Sequence, residues 1–224
     1  MDTLTDTLIE EKRAPKDEEL NLLRKNPSAA DIGLFGRMLA DDPAFNVEAA
    51  CQVAHAITVH PVVIEDDYFT AVDDLNSGDE DRGAAHIGET GFAAGLFYSY
   101  VCINRDQLID NLSGDAELAD KAIAALAEAA IKVSPTGKQN SFGSRAYASY
   151  VMAEKGRQQP RSLSVAFLKP VQGQDQASEA ITGLEEQAQR FDQVYGDCAD
   201  KRYSLNAHAG EGSFQALMDF LKND

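Results

Sequence analysis

Four consecutive residues, Phe35-Gly36-Arg37-Met38, combine three groups that suit a nucleic-acid strand. A glycine lets backbone approach a phosphate closely. An arginine offers a planar fork of donors that matches phosphate oxygens in pairs. A methionine is a flexible apolar wedge that can pack on the face of a base. The same four residues also fit a plain turn with an ion-paired arginine and a core methionine, and a short motif alone does not separate the two. A second turn, Thr136-Gly137-Lys138-Gln139-Asn140-Ser141, carries polar side chains suited to a nucleic-acid backbone, and Arg145, Lys155, Arg157 and Arg161 follow it. A solvated loop is the equal alternative there. Tyr98 and Tyr100 lie where some sheet proteins stack bases, but core packing fits them better.

Other chemistry is poorly supported. Glu65, Asp66, Asp67, Asp73, Asp74, Asp79, Glu80 and Asp81 form an acidic stretch. Their register does not match a calcium loop, so they read as a solvated face and no metal site is assigned. His55 and His60 are five apart, which is poor spacing for shared ligation on one helix face. His86 and His208 stand alone, and packing or capping roles suit all four. Nucleophile elbow, zincin, phosphate-loop and dinucleotide fingerprints are all missing. The chain therefore does not read as an enzyme, and no catalytic residue or cofactor is assigned. Cys51, Cys102 and Cys198 form no CxxC pair, so they read as free thiols in a reducing, cytoplasmic setting.

Composition sets a conflict. The chain has 224 residues, 37 acids against 20 bases, and a net charge of −17. Nucleic-acid affinity comes largely from Lys and Arg neutralising phosphates, so this balance opposes nucleic-acid binding, except through a local basic groove or backbone N–H groups. No apolar run is long enough to cross a membrane, and the first twenty residues do not read as a signal peptide.

The elements that must position these groups read as follows. Residues 1–29 form a polar arm, with a weak helical pattern around Glu18 to Leu23. A short strand over Ile32 to Phe35 ends at Gly36. Asn46 caps a helix over Val47 to Thr58, on whose buried face fall Ala50, Val53, Ala54 and Ile57. A short strand covers Val62 to Ile64. The polar stretch Glu65 to Thr90 is a long hairpin or protruding loop. Phe92 to Ile103 is a central strand covered on both faces. Ser113 or Asp115 caps a helix over Ala116 to Val133. Tyr147 to Met152 and Leu163 to Phe167 pair as a hairpin, Gln176 to Tyr195 is a helix, and Phe214 to Leu221 is a last short one. This mixed order with segregated helices predicts an α+β fold, with helices on one side of an antiparallel sheet, for which a ferredoxin-like or RRM-like arrangement is a natural solution.

The segments GRML, AHAITVH, DYFTAVDDL, GAAHIGETGF, LFYSYVCIN and PTGKQNSF, in that order, resemble the CasC/Cse-type backbone subunit of the type I-E CRISPR Cascade complex. The resemblance is clear over Ala30 to Phe142 and fades in the last third. It implies an RRM-like palm over 30–224 with a thumb hairpin inserted at about 65–91. It further implies that copies of the chain stack along a CRISPR RNA, each thumb kinking the guide, which then pairs with target DNA. Other Cascade subunits would be partners, and a membrane would not. Under this resemblance Gly36, Arg37 and Met38 contact the guide, Met38 beside a base, Phe69 and Thr70 belong to the thumb, and Lys138 and Gln139 fall in a polar RNA-facing turn. Members of that family carry a long segment before the region equivalent to Asp31, so this chain corresponds to the later part of such a subunit, with a sheet that the missing segment would leave incomplete. The alternative is a truncated protein-interaction module that modulates Cascade assembly without binding RNA.

Overall fold

Asp115 begins a helix of 17 residues. Its carboxylate accepts from the Leu118 N–H at 2.9 Å and caps a helix that runs to Lys132. The buried residues of this helix are Ala119, Ala122 and Ile123. Of the face that the sequence predicts, Leu118, Ile123, Leu126 and Ala130, only Ile123 is fully buried, Leu118 and Leu126 are half-buried and Ala130 is exposed.

The computed structural model describes residues 2–14, 29–71 and 86–222. The elements in chain order are α1 (Asp2–Glu11), α2 (Ala30–Phe35), β1 (Cys51–Val53), β2 (Ile57–Thr58), β3 (Glu65–Ala71), β4 (His86–Phe92), β5 (Phe97–Tyr98), β6 (Val101–Ile103), α3 (Arg105–Asn111), α4 (Ala116–Lys132), α5 (Gln139–Phe142), β7 (Tyr150–Lys155), α6 (Gln176–Tyr195), β8 (Lys201–Asn206) and α7 (Phe214–Lys222). Single 3-10 turns lie at Pro43–Phe45 and Ser164–Phe167. Among the described residues every named sheet is a two-stranded antiparallel pair, β1 with β6, β2 with β5, β3 with β4 and β7 with β8. The mixture of helices with small antiparallel sheets is the α+β class that the sequence predicts.

Two compact units emerge. One comprises Met1–Val53, Val101–Ala148 and Ser213–Asp224; the other comprises Ala54–Tyr100 and Ser149–Gly212. The first unit packs Leu34, Ala50, Cys51, Leu108, Leu112, Ala119, Ala122 and Ile123 into one core. Burial pushes the Cys51 thiol up from its ordinary range, with Cys102 adding to the shift. The second unit centres on Val59, Phe167 and Ala180, with the Tyr98 ring 5.5 Å from that of Phe167. Tyr98 is thus a packing residue, and its hydroxyl accepts from the Leu163 N–H at 3.0 Å.

Several sequence expectations change. Residues 30–35 are a helix rather than a strand, because Gly33 and Leu34 bury one side and the Gly36 N–H returns to the Ile32 carbonyl at 2.8 Å. A short apolar run does not distinguish the two periods. The helix expected over Val47 to Thr58 is extended chain. Its backbone groups bond to the 100–104 segment instead, with Asn104 N to Ala50 O at 2.8 Å and Ala54 N to Tyr100 O at 2.9 Å. Asn46 caps nothing there. Val62 to Ile64 is not a strand, and Val63 is 81% exposed. The central strand expected over Phe92 to Ile103 is divided among β4, β5 and β6, each paired to a different partner. Residues 163–167 do not pair with β7. Leu163 and Phe167 are both buried at helical spacing around a 3-10 turn, and β7 pairs with β8. The weak helix around Glu18 to Leu23 lies outside the described residues.

Candidate nucleic-acid interface

Gly36 ends α2 with φ +78°, a conformation that an L side chain rarely adopts. A Cβ at this position would stand 2.7 Å from the Val47 carbonyl oxygen. The glycine therefore lets the chain double back against Val47. Arg37 and Val47 then exchange both backbone hydrogen bonds at 2.9 Å, closing the segment between them into a loop. Arg37 Nε and Nη2 donate to the Phe45 carbonyl at 3.0 and 2.7 Å. Leu39 N–H donates to Asn46 Oδ1 at 2.7 Å. Phe45 and Asn46, which the sequence did not flag as partners of the turn, are what close it.

Met38 leaves this loop 80% exposed, and Phe35 beside it is half exposed. Residues Phe35 to Met38 and Asn46 to Ala49 line an open cleft of about 480 Å³. Its foundation is polar and buried. Asn111, at the end of α3, donates to the Gly33 carbonyl at 2.9 Å and the Glu48 carbonyl at 2.8 Å, and accepts from Gln107 at 2.9 Å. No sequence signal marked Asn111, since an asparagine in an amphipathic helix looks like any solvent-facing residue.

In the same unit, Lys138 holds φ +58° and opens the single turn α5, which closes on Gly143 at φ +60°. Lys138 is exposed. Gln139 is used within its own loop: Nε2 donates to the Pro135 carbonyl at 2.6 Å and to the Ser144 carbonyl. It braces the turn that presents Lys138.

Phe69 and Thr70 lie in the other unit, on the antiparallel ladder of β3 and β4. The hairpin expected from the sequence is present as pairing from Glu65↔Phe92 to Ala71↔His86, and residues 72–85 lie outside the description. Every residue of β3 is exposed. Phe69 lies over Gly88, where an added Cβ would meet the ring at 2.3 Å. The acids Glu65, Asp66 and Asp67 occupy one end of the strand, and Tyr68, Phe69 and Thr70 follow toward the other. Gly36, Arg37 and Met38 therefore share a cleft, Lys138 and Gln139 share a braced turn, and Phe69 and Thr70 share an exposed ladder.

Two further polar clusters are structural. Arg161 and Arg202 both engage Glu154 and Asp192. Burial works against the Asp192 charge, but hydrogen bonds from Arg202 and the Cys198 N–H hold its carboxyl below the usual range. Asp175 caps α6 by accepting from Ser178 N–H at 3.1 Å and Ser178 Oγ at 2.7 Å, bonds that lower its carboxyl. His208 Nε2 lies 3.0 Å from Ser178 Oγ and 3.7 Å from Asp175 Oδ1, beside the residue that caps the helix. Among the described residues, no three His, Cys, Asp or Glu side chains gather as a metal site, and no helix is long and apolar enough to cross a membrane.

Comparison with known proteins gives four results. The CT1975-like protein family matches residues 1–219, well past the Phe142 limit of the recognisable motifs. One solved chain, from a "CRISPR RNA-guided surveillance complex, pre-nicking", is 31% identical with a TM-score of 0.77, and the match covers 99% of this chain and 64% of that one. Another, from a "CRISPR RNA-guided surveillance complex", is 33% identical with a TM-score of 0.72, covering 86% of this chain and 77% of the other. The chain thus spans less than two thirds of the length of the first of these. A comparison with curated proteins finds no match.

Proposed function

The chain belongs to the CT1975-like protein family, and on that premise we propose that it is a CRISPR RNA-binding backbone subunit of a Cascade surveillance complex, of the type I-E CasC kind. The observation that carries this reading is the 33% identity and 0.72 TM-score to a chain of an RNA-guided surveillance complex over 86% of this sequence. The family assignment concerns the chain; the role concerns what its surfaces do.

In this reading the helices and small sheets form an RRM-like palm, and the β3–β4 hairpin is the thumb. The turn formed by Gly36, Arg37 and Met38 faces the guide, with Met38 against a base. Phe69 and Thr70 act from the thumb, and Lys138 and Gln139 form a second RNA-facing turn. Copies of the chain stack along the guide, other Cascade subunits bind the stack, and target DNA meets it only through base pairing. The subunit holds and presents RNA and carries out no chemistry of its own. The net charge of −17 then requires contacts that rely on apolar packing and on a few placed donors rather than on a basic surface.

The test is a titration of the full chain with labelled single-stranded RNA over a range of salt. Binding of RNA that weakens only gently with salt supports the reading, since a few placed donors displace few counterions. A chain that ignores RNA yet associates with other complex subunits in a salt-insensitive way would instead favour a protein-interaction module.

A further inference from the structure

We propose that Arg37 is a positioning residue: its guanidinium clasps the Phe45 carbonyl and holds the 37–47 loop shut, so that Met38 rather than Arg37 meets the RNA. This rests on the RNA-binding reading above. The first support is where the fork points. Nε and Nη2, two donors of one guanidinium, converge on a single carbonyl at 3.0 and 2.7 Å within the loop itself. The second is that two other closures act on the same segment, the paired Arg37–Val47 backbone bonds and the Leu39–Asn46 bond. The third is what the closed loop displays. Met38 follows the clasp directly and stands 80% exposed.

An apolar side chain held out in water gains nothing in the isolated chain, but it is placed to pack on a base when a strand arrives. A loop that had to order at that moment would weaken binding, and closing it in advance avoids the loss. Lysine cannot replace the clasp, because an ammonium is a point donor without the planar fork.

The experiment separates this role from direct phosphate binding. Labelled oligouridine is titrated with the full chain and its variants at several salt concentrations. We expect Arg37→Lys and Arg37→Ala to weaken binding alike, by about tenfold, as Met38→Ala does. The slope of log affinity against log salt should stay at its wild-type value. Arg37→Ala combined with Met38→Ala should remain near tenfold rather than about a hundredfold, since the two act as one unit. The proposal is overturned if Arg37→Lys binds as the wild type does while Arg37→Ala flattens the slope by about 0.7, the mark of one lost single-strand phosphate contact. A wild-type chain that does not bind oligouridine overturns the RNA-binding reading instead. The clasp is checked without RNA by amide exchange at Leu39 and Val47. Faster exchange in both Arg37 variants upholds it, and unchanged exchange removes it.

Discussion

The 36–47 loop and the β3–β4 hairpin both display apolar side chains to solvent, yet they are built in opposite ways. The loop is closed by side-chain and backbone hydrogen bonds and stands on a buried asparagine with its bonds made. Among the described residues the hairpin is a two-stranded ladder, with every residue of β3 exposed. A two-stranded ladder with so little covered surface is marginal in water. The lesson is that one surface is closed by hydrogen bonds onto a buried base, while the other is held, among the described residues, by its own ladder with the Phe69 ring over Gly88. In the proposed role the first would set the register of the guide, and the second would adapt around it.

Substitutions that remove the foundation of the loop should have the largest effect. Asn111→Leu strands the buried Gly33 carbonyl, the half-buried Glu48 carbonyl and the Gln107 donor, and we expect a loss of about 3 kcal/mol in denaturant unfolding. A loss under about 1 kcal/mol would mean that the loop does not depend on its buried base. Next comes Gly36→Ala, where a strained φ and the Val47 carbonyl both oppose a Cβ. The expected cost is about 2 kcal/mol, together with faster amide exchange at Arg37 and Val47.

Alkaline pH should act on the unit that holds the hairpin. Burial, against the help of Ser204 and reinforced by Glu185, pushes the Tyr150 hydroxyl up to about 12. The folded state thus prefers the neutral phenol. Its contribution is complete below pH 10 and is lost as pH rises from about 10 to 12. Tyr150 is only half buried, so the loss should be about 1 kcal/mol. Tyr150→Phe should remove this pH dependence. Smallest of all is Gly88→Ala. The Phe69 ring can swing aside, so global stability should change by less than about 1 kcal/mol, while the ring resonances of Phe69 shift. A large global loss would show the hairpin to be as rigidly founded as the loop.

How far the sequence showed these features depends on how local their causes are. The helix α4 was legible because its cap and apolar spacing lie within its own residues, and α6 was legible as a helix although its cap at Asp175 was not. The β3–β4 hairpin was legible from its turn-rich composition. The 47–58 segment was not, because alanine and valine at helical spacing also serve a strand whose backbone bonds lie some fifty residues away. The turn at Gly36 was found from residue types alone. Its closure through Phe45 and Asn46 was hidden, since a carbonyl acceptor leaves no trace in residue identity. Asn111 was hidden for the same reason.

The most direct measurement compares two positions of equal exposure. Met38 and Leu168 are each 80% exposed, but only Met38 sits on the proposed interface. A photo-crosslinking amino acid is placed at one or the other in the full chain, which is then irradiated with single-stranded RNA. We expect a covalent RNA adduct from position 38 and none from position 168. Equal yields, or none at position 38, would contradict the claim that this loop meets the guide.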